Sequence, residues 1–190
     1  FSLEGLRITG GNAKDLDGGP HYHSPDAGGG VYVTSATVRF NDCAVLSNTA
    51  KRGGGLYIAH SPAMLSGITV ISNTAQFGGG LELYNSPAAL SRLTLTGNIA
   101  IGGGGGLMIG DSDDATLNDS LIFSNTAPDR GGGVYVIGSA ATLNGNTIIS
   151  NTVANEGGGV YVVGSAATLS GNLISGNRAD RAGGGVAVIE

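Results

Sequence analysis

A stretch rich in carboxylate and imidazole side chains lies near the start of the chain. The residues concerned are Asp15, Asp17, His21, His23 and Asp26. The His-x-His spacing puts two imidazoles on one side of an extended segment, and carboxylates complete ligand sets of this kind. The group is therefore a candidate site for calcium or a transition metal. The alternative is an exposed loop enriched in polar turn residues.

A second acidic group consists of Asp111, Asp113 and Asp114. Carboxylates this close together could bind calcium. A solvated turn explains the same composition. The glycine-rich nonapeptide motif that binds calcium, Gly-Gly-x-Gly-x-Asp, does not occur in the sequence.

Four tyrosines recur at matching places in the chain, namely Tyr32, Tyr57, Tyr135 and Tyr161. Each lies between two aliphatic residues of a short β-rich run, so we expect these rings to point outward as a stripe that Glu82 interrupts. Exposed rings of this kind could bind a surface polysaccharide. Strand propensity with ring stacking between neighbouring repeats is the alternative.

No residue is predicted to be catalytic. Acid–base chemistry on a polysaccharide needs paired carboxylates on one face of adjacent repeats. The sequence has no carboxylate that recurs from repeat to repeat at one position. We therefore expect a protein that is not an enzyme, with a polysaccharide-binding or polysaccharide-degrading protein as an alternative.

A sequence repeat determines the secondary-structure elements in which these residues lie. The triplet Gly-Gly-Gly occurs seven times, at steps of 25 to 27 residues. The triplets end at Gly30, Gly55, Gly80, Gly106, Gly133, Gly159 and Gly185. Such a period is typical of units that bury their apolar faces by stacking on copies of themselves.

An asparagine marks a second fixed position in each repeat, before the next glycine triplet. The asparagines are Asn48, Asn73, Asn98, Asn125, Asn151 and Asn177. The residue three before each is aliphatic, and the residue eight before each is Leu or Phe. We predict an all-β parallel β-solenoid of about seven coils, each with three short strands. The asparagines would form an amide ladder at one corner, although tolerance of left-handed backbone also explains them.

The first coil departs from this rule. Leu3, Leu6 and Ile8 are followed by Asn12, which we match to the asparagine column. The distance from Asn12 to the next triplet is longer than in later repeats, which predicts an inserted loop at about residues 13–27. Otherwise residues 1–190 are expected to form one domain.

Charge and apolar content limit the classes of partner that we expect for this chain. The formal net charge is -5, and only Lys51 and Arg52 are adjacent cations, so we expect no nucleic-acid partner. No apolar run is long enough for a membrane-spanning helix. The single cysteine, Cys43, allows no internal disulfide and leaves the redox compartment open.

Gly-Gly-Gly-Val-Tyr-Val at residues 131–136, with Ile-Ile-Ser-Asn-Thr at 148–152, resembles the repeats of the polymorphic outer membrane proteins and related bacterial surface proteins. Their paired motifs are Gly-Gly-Ala-aliphatic and Phe-x-x-Asn, and this chain has Gly for the Ala and aliphatic residues for the Phe. The resemblance implies a right-handed parallel β-helix of the pectate-lyase-like kind. It also implies an extracellular or cell-surface location and a structural or adhesive role.

The two ends of the chain suggest a partner. We expect apolar residues of the first and last coils to lie uncovered at the ends of the rod, namely Phe1, Leu3, Leu6, Ile8, Val186 and Val188. Copies could then stack head to tail into a homopolymeric fibre. The alternative is that the sequence is a fragment of a longer adhesin or passenger β-helix.

Overall fold

A computed structural model of the protein describes residues 1–14 and 26–190. In this part of the chain the regular structure is entirely β. Short strands build four parallel sheets with seven strands in each, and successive strands of a sheet come from successive repeats. The prediction of an all-β parallel β-solenoid is confirmed.

Two of the sheets carry most of the aliphatic columns before the asparagines. Sheet 1 consists of Ser2–Glu4, Val38–Asn41, Ala63–Ser66, Ala88–Ser91, Thr116–Asn118, Thr142–Asn144 and Thr168–Ser170. Sheet 2 consists of Arg7–Thr9, Ala44–Leu46, Thr69–Ile71, Thr94–Thr96, Leu121–Phe123, Thr147–Ile149 and Leu173–Ser175.

The other two sheets lie on either side of the glycine triplets. Sheet 3 consists of Asn12–Ala13, Thr49–Ala50, Thr74–Phe77, Ile99–Gly103, Thr126–Ala127, Thr152–Val153 and Arg178–Ala179. Sheet 4 consists of Val31–Thr34, Leu56–Ala59, Leu81–Tyr84, Leu107–Gly110, Val134–Ile137, Val160–Val163 and Val186–Ile189. Each coil thus has four strands, whereas the sequence predicted three. Most strands of sheet 3 are too short for alternation to mark them.

Matching positions of successive repeats lie side by side. Val134 pairs with Val160 in sheet 4, and Val70 pairs with both Val45 and Leu95 in sheet 2. The aliphatic columns therefore become stacks through one buried core, in which most of these side chains have essentially no exposed surface. Burial of such side chains contributes about 25 cal/mol for each Å² removed from water.

The glycine triplets fit a corner where backbones meet closely. The first glycine of a triplet has a left-handed backbone, as at Gly131 with φ 59°. A Cβ on the middle glycine, Gly132, would lie 2.6 Å from the carbonyl oxygen of Gly158 in the next coil. No other residue type fits there without moving the backbone.

The first coil differs from its prediction at the asparagine position. Ile8 pairs with Val45, so Gly11 occupies the asparagine position and Asn12 begins the strand that follows. Matching Asn12 to the asparagine column was therefore wrong by one residue. Most of the predicted 13–27 insertion lies outside the described residues; at its two ends, Ala13 lies in a sheet 3 strand and Ala27 pairs with Arg52.

Candidate functional site

The predicted metal site falls mostly outside the described residues. Asp15, Asp17, His21 and His23 all lie there. Asp26 is described, and its carboxylate is 3.9 Å from the Lys51 ammonium. The Asp26 carbonyl accepts hydrogen bonds from the backbone N–H groups of Lys51 and Arg52. Within residues 1–14 and 26–190, no three His, Cys, Asp or Glu side chains gather closely enough to hold a metal ion.

The second acidic group lies at a corner of the solenoid. Asp111 has a left-handed backbone with φ 49°. The Asp113 carboxylate accepts a hydrogen bond of 2.9 Å from the Ala140 backbone N–H of the next coil. At least one of these carboxylates therefore contributes to the contact between coils.

The asparagine column forms a continuous hydrogen-bond ladder. The backbone N–H and the side-chain Nδ2 of Asn73 both donate to Oδ1 of Asn98, each at 3.0 Å. The same Nδ2 also donates to the carbonyl of Val45 in the preceding coil. This pattern repeats from Asn48 to Asn177. Each asparagine side chain thus satisfies turn backbone groups that would otherwise be buried without partners.

A hydroxyl ladder at another corner escaped the sequence analysis. At this corner, one backbone N–H in each coil donates to the Oγ of the serine in the next coil, at distances of 2.8 to 3.1 Å. The first donor is the N–H of Ala36, and the later donors are the N–H groups of the serines themselves. The serines are Ser61, Ser86, Ser112, Ser139 and Ser165. The signal was available, because these serines recur at steps of 25 to 27 residues.

A shorter third ladder serves the corner before sheet 2. The Leu93 N–H donates to Oγ of Ser120, the Ser120 N–H donates to Oδ1 of Asn146, and Asn146 donates to Asn172. Earlier coils place apolar side chains at this position, including Cys43 and Ile68. Polar groups replace packing here only in the later coils.

The tyrosine stripe is not the exposed surface that the alternation predicted. Tyr32 is 42% exposed, but Tyr57 and Tyr135 are each 7% exposed and Tyr161 is 3% exposed. The rings pack between coils: Tyr32 stacks on Tyr57 at 5.7 Å, and Tyr135 meets Tyr161 edge to face at 5.4 Å. Stacking between repeats therefore accounts for the column.

Arginine side chains at the corner before the glycine triplets cover part of these rings. The Arg52 guanidinium lies 5.5 Å from the centre of the Tyr57 ring and 5.3 Å from that of Tyr84. Arg130 lies 5.5 Å from the centre of the Tyr161 ring. Such cation–π contacts are each worth about 0.5–1 kcal/mol at exposed sites and more when desolvated.

Arg52 also holds a buried carboxylate. Glu82 lies beside Tyr57 in sheet 4 and is 1% exposed. Both Nε and an Nη of Arg52 donate to its Oε1, whereas Oε2 is buried and has no hydrogen-bond partner among the described residues. Burial raises the pKa of the Glu82 carboxyl. The hydrogen bond and charge of Arg52, and the nearby backbone N–H of Gly53, which donates to the Phe77 carbonyl, oppose this rise only in part.

The apolar residues predicted for the ends differ in exposure. Phe1, Leu6, Val186 and Val188 are 84%, 43%, 37% and 65% exposed. Leu3 and Ile8 are partly buried and pack against the core. The asparagine ladder stops at Gly11, whose backbone N–H donates to Asn48 Oδ1 and which has no side chain to accept in turn.

Comparison with known proteins gives a family. The part of the chain that the structure describes contains no helix long and apolar enough to cross a membrane. No curated protein and no solved structure matches this chain. The family model described as the right-handed β-helix region matches residues 26–190, which hold six of the seven strands of sheets 1, 2 and 3 and all of sheet 4. The chain therefore belongs to the right-handed β-helix family.

Proposed function

We propose that the protein is a non-enzymatic structural rod of the bacterial surface or extracellular matrix. The observation that carries this proposal is that the repeated polar side chains form hydrogen bonds between coils. The recurring asparagines and serines bond to the next coil inside the solenoid. They hold neighbouring coils in register.

The proposed location rests on the resemblance to repeats of the polymorphic outer membrane proteins. Immunogold labelling of intact, non-permeabilised cells of the producing organism tests it. We expect label on the outer surface or in the surrounding matrix. Label that appears only after the cells are permeabilised would contradict the proposal.

We further propose that copies of the rod associate head to tail. Support comes from the apolar side chains that are exposed in the first and last coils that the structure describes, Phe1 and Val188 above all. Such a junction would extend the aliphatic columns. It would not extend the asparagine ladder, because Gly11 has no side-chain acceptor for the donors of Asn177. We therefore expect this contact to be weaker than the contact between two internal coils.

Sedimentation velocity over a concentration series, with negative-stain imaging, tests the association. We expect threads or oligomers to form as the concentration rises, and Val188→Glu to reduce them. Met64→Glu is the matched control, since Met64 is 48% exposed on the side of the rod. Dispersed single particles at every concentration, or equal effects of both variants, would contradict head-to-tail stacking.

A further inference from the structure

Glu82 combines burial with an unused acceptor. Its Oε1 takes both hydrogen bonds from Arg52, and its Oε2 has no partner among the described residues although it is shielded from water. A buried carboxylate oxygen without a donor is costly. A proton is the smallest group that would remove this cost.

The groups around Glu82 come from the preceding coil, from its own strand and from the next coil. Arg52 reaches it from the corner of the preceding coil, Tyr57 lies beside it on the neighbouring strand of sheet 4, and Met108 lies beside it on the other side. Tyr84 follows on its own strand, and the His60 ring meets Tyr84 edge to face at 5.6 Å. Among these described groups, Arg52 is the cation that pairs with Glu82.

Arg52 in turn depends on Glu82 for its position. Its side chain is 29% exposed, so the guanidinium has a short route to water. The charge-assisted hydrogen bonds to Oε1 hold it over the rings of Tyr57 and Tyr84. If the Glu82 carboxyl is neutral, Arg52 keeps one neutral hydrogen-bond acceptor and two cation–π contacts. These interactions hold the guanidinium less strongly than the charged carboxylate does.

We propose that Glu82 and Arg52 form a proton-operated clasp over the tyrosines of sheet 4. On acidification Oε2 takes a proton from solvent, the carboxyl becomes neutral, and Arg52 keeps its charge and moves out to water. The Tyr57 and Tyr84 rings are then uncovered. They join Tyr32, already 42% exposed, as a continuous aromatic surface that exists only in acid.

The chain contains its own control for this proposal. Arg130 covers Tyr161 much as Arg52 covers Tyr57 and Tyr84. Tyr161 stands in the column that Glu82 occupies, so an aromatic ring holds this position in the second cluster, where the first cluster has a carboxylate. Arg130 instead lies 3.7 Å from the carboxylate of Asp129, which is 48% exposed. Acid should leave Tyr135 and Tyr161 covered.

Hydroxyl-radical footprinting with peptide mass spectrometry, at neutral and at mildly acidic pH, tests the clasp on the unmodified protein. We expect labelling of Tyr57 and Tyr84 to rise about fivefold in acid, as for a local opening, while Tyr135 and Tyr161 change little. Constant labelling of Tyr57 and Tyr84 would overturn the proposal. An equal rise at all four tyrosines would also overturn it, because it would mean general loosening.

Two variants sharpen the test. Glu82→Gln keeps the shape without the charge, and Glu82→Met places in this column the residue that the next coil has at Met108. In both variants, the labelling of Tyr57 and Tyr84 at neutral pH should equal that of the unmodified protein in acid, and it should not change further with pH. Labelling that stays low in a folded variant, or that still rises in acid, would contradict the role of Glu82.

Discussion

Arg52 donates two hydrogen bonds to a single oxygen of Glu82, and the other oxygen is buried with no partner among residues 1–14 and 26–190. The ion pair is thus only half satisfied. A buried pair of this kind contributes little net stability, but removal of one partner leaves the other uncompensated.

The two partners should therefore respond unequally to substitution. Arg52→Met leaves a buried carboxylate and should lower the free energy of unfolding by about 3 kcal/mol at neutral pH. Glu82→Met should cost much less, since Arg52 can reach water. The double variant should recover most of the loss. Urea denaturation of the four proteins measures this, and equal losses for the two single variants would contradict it.

Stability should also depend on pH through Glu82. Because burial raises its pKa, the folded chain holds this proton more tightly than the unfolded chain does. The contribution to stability is present below the ordinary pKa of glutamate and is lost as the pH rises through the raised value. The free energy of unfolding, measured across this range, should fall with rising pH more steeply in the unmodified protein than in Glu82→Met. Parallel curves would rule out this contribution.

The asparagine ladder should fail at a single rung. Asn98→Ala leaves the backbone N–H of Asn73 and the carbonyl of Val70 without their Asn98 partner, while Nδ2 of Asn73 keeps its bond to the Val45 carbonyl. Each orphaned buried group costs about 1–3 kcal/mol, so we expect a loss of at least about 2 kcal/mol in total. Asn144→Ser is the control, because Asn144 is exposed and pairs in register with Ser170. Denaturation midpoints should separate the variants clearly, and similar values would argue against the ladder.

The middle glycine of a triplet should not tolerate a methyl group. In Gly132→Ala the new Cβ would lie 2.6 Å from the carbonyl oxygens of Gly158 and Thr152, which are backbone atoms that cannot rotate away. We expect destabilisation of more than about 2 kcal/mol. Gly110→Ala is the control, since its Cβ would meet no atom closer than 3.6 Å. Thermal unfolding of both variants provides the comparison, and an equal shift in Tm would contradict the close approach.

The periodic part of the fold could be predicted from the sequence. Neighbouring coils stack in register, so a residue that recurs every 25 to 27 positions meets its own counterpart. The aliphatic columns and the asparagine positions follow from this alone. The serine ladder follows from the same count. The aromatic column also follows, although its burial does not.

The remaining features depend on contacts between different columns. Tyr57 and Glu82 face away from the core, as alternation requires, yet Arg52 covers them from the corner of a coil. The two-residue strands of sheet 3 are too short to show a period. The place of Gly11 depends on pairing between Ile8 and Val45, in a coil that breaks the repeat.

The sequence by itself determined the period, the parallel stacking and the identity of the interior columns, because each repeat must pair with its copy. Only the tertiary structure decided which outward side chains are buried and which charges meet. Those contacts join residues at different positions of the repeat, and these residues vary from coil to coil. The repeat pattern therefore cannot predict them. The Arg52–Glu82 pair, on which the proposed clasp depends, is a contact of this kind.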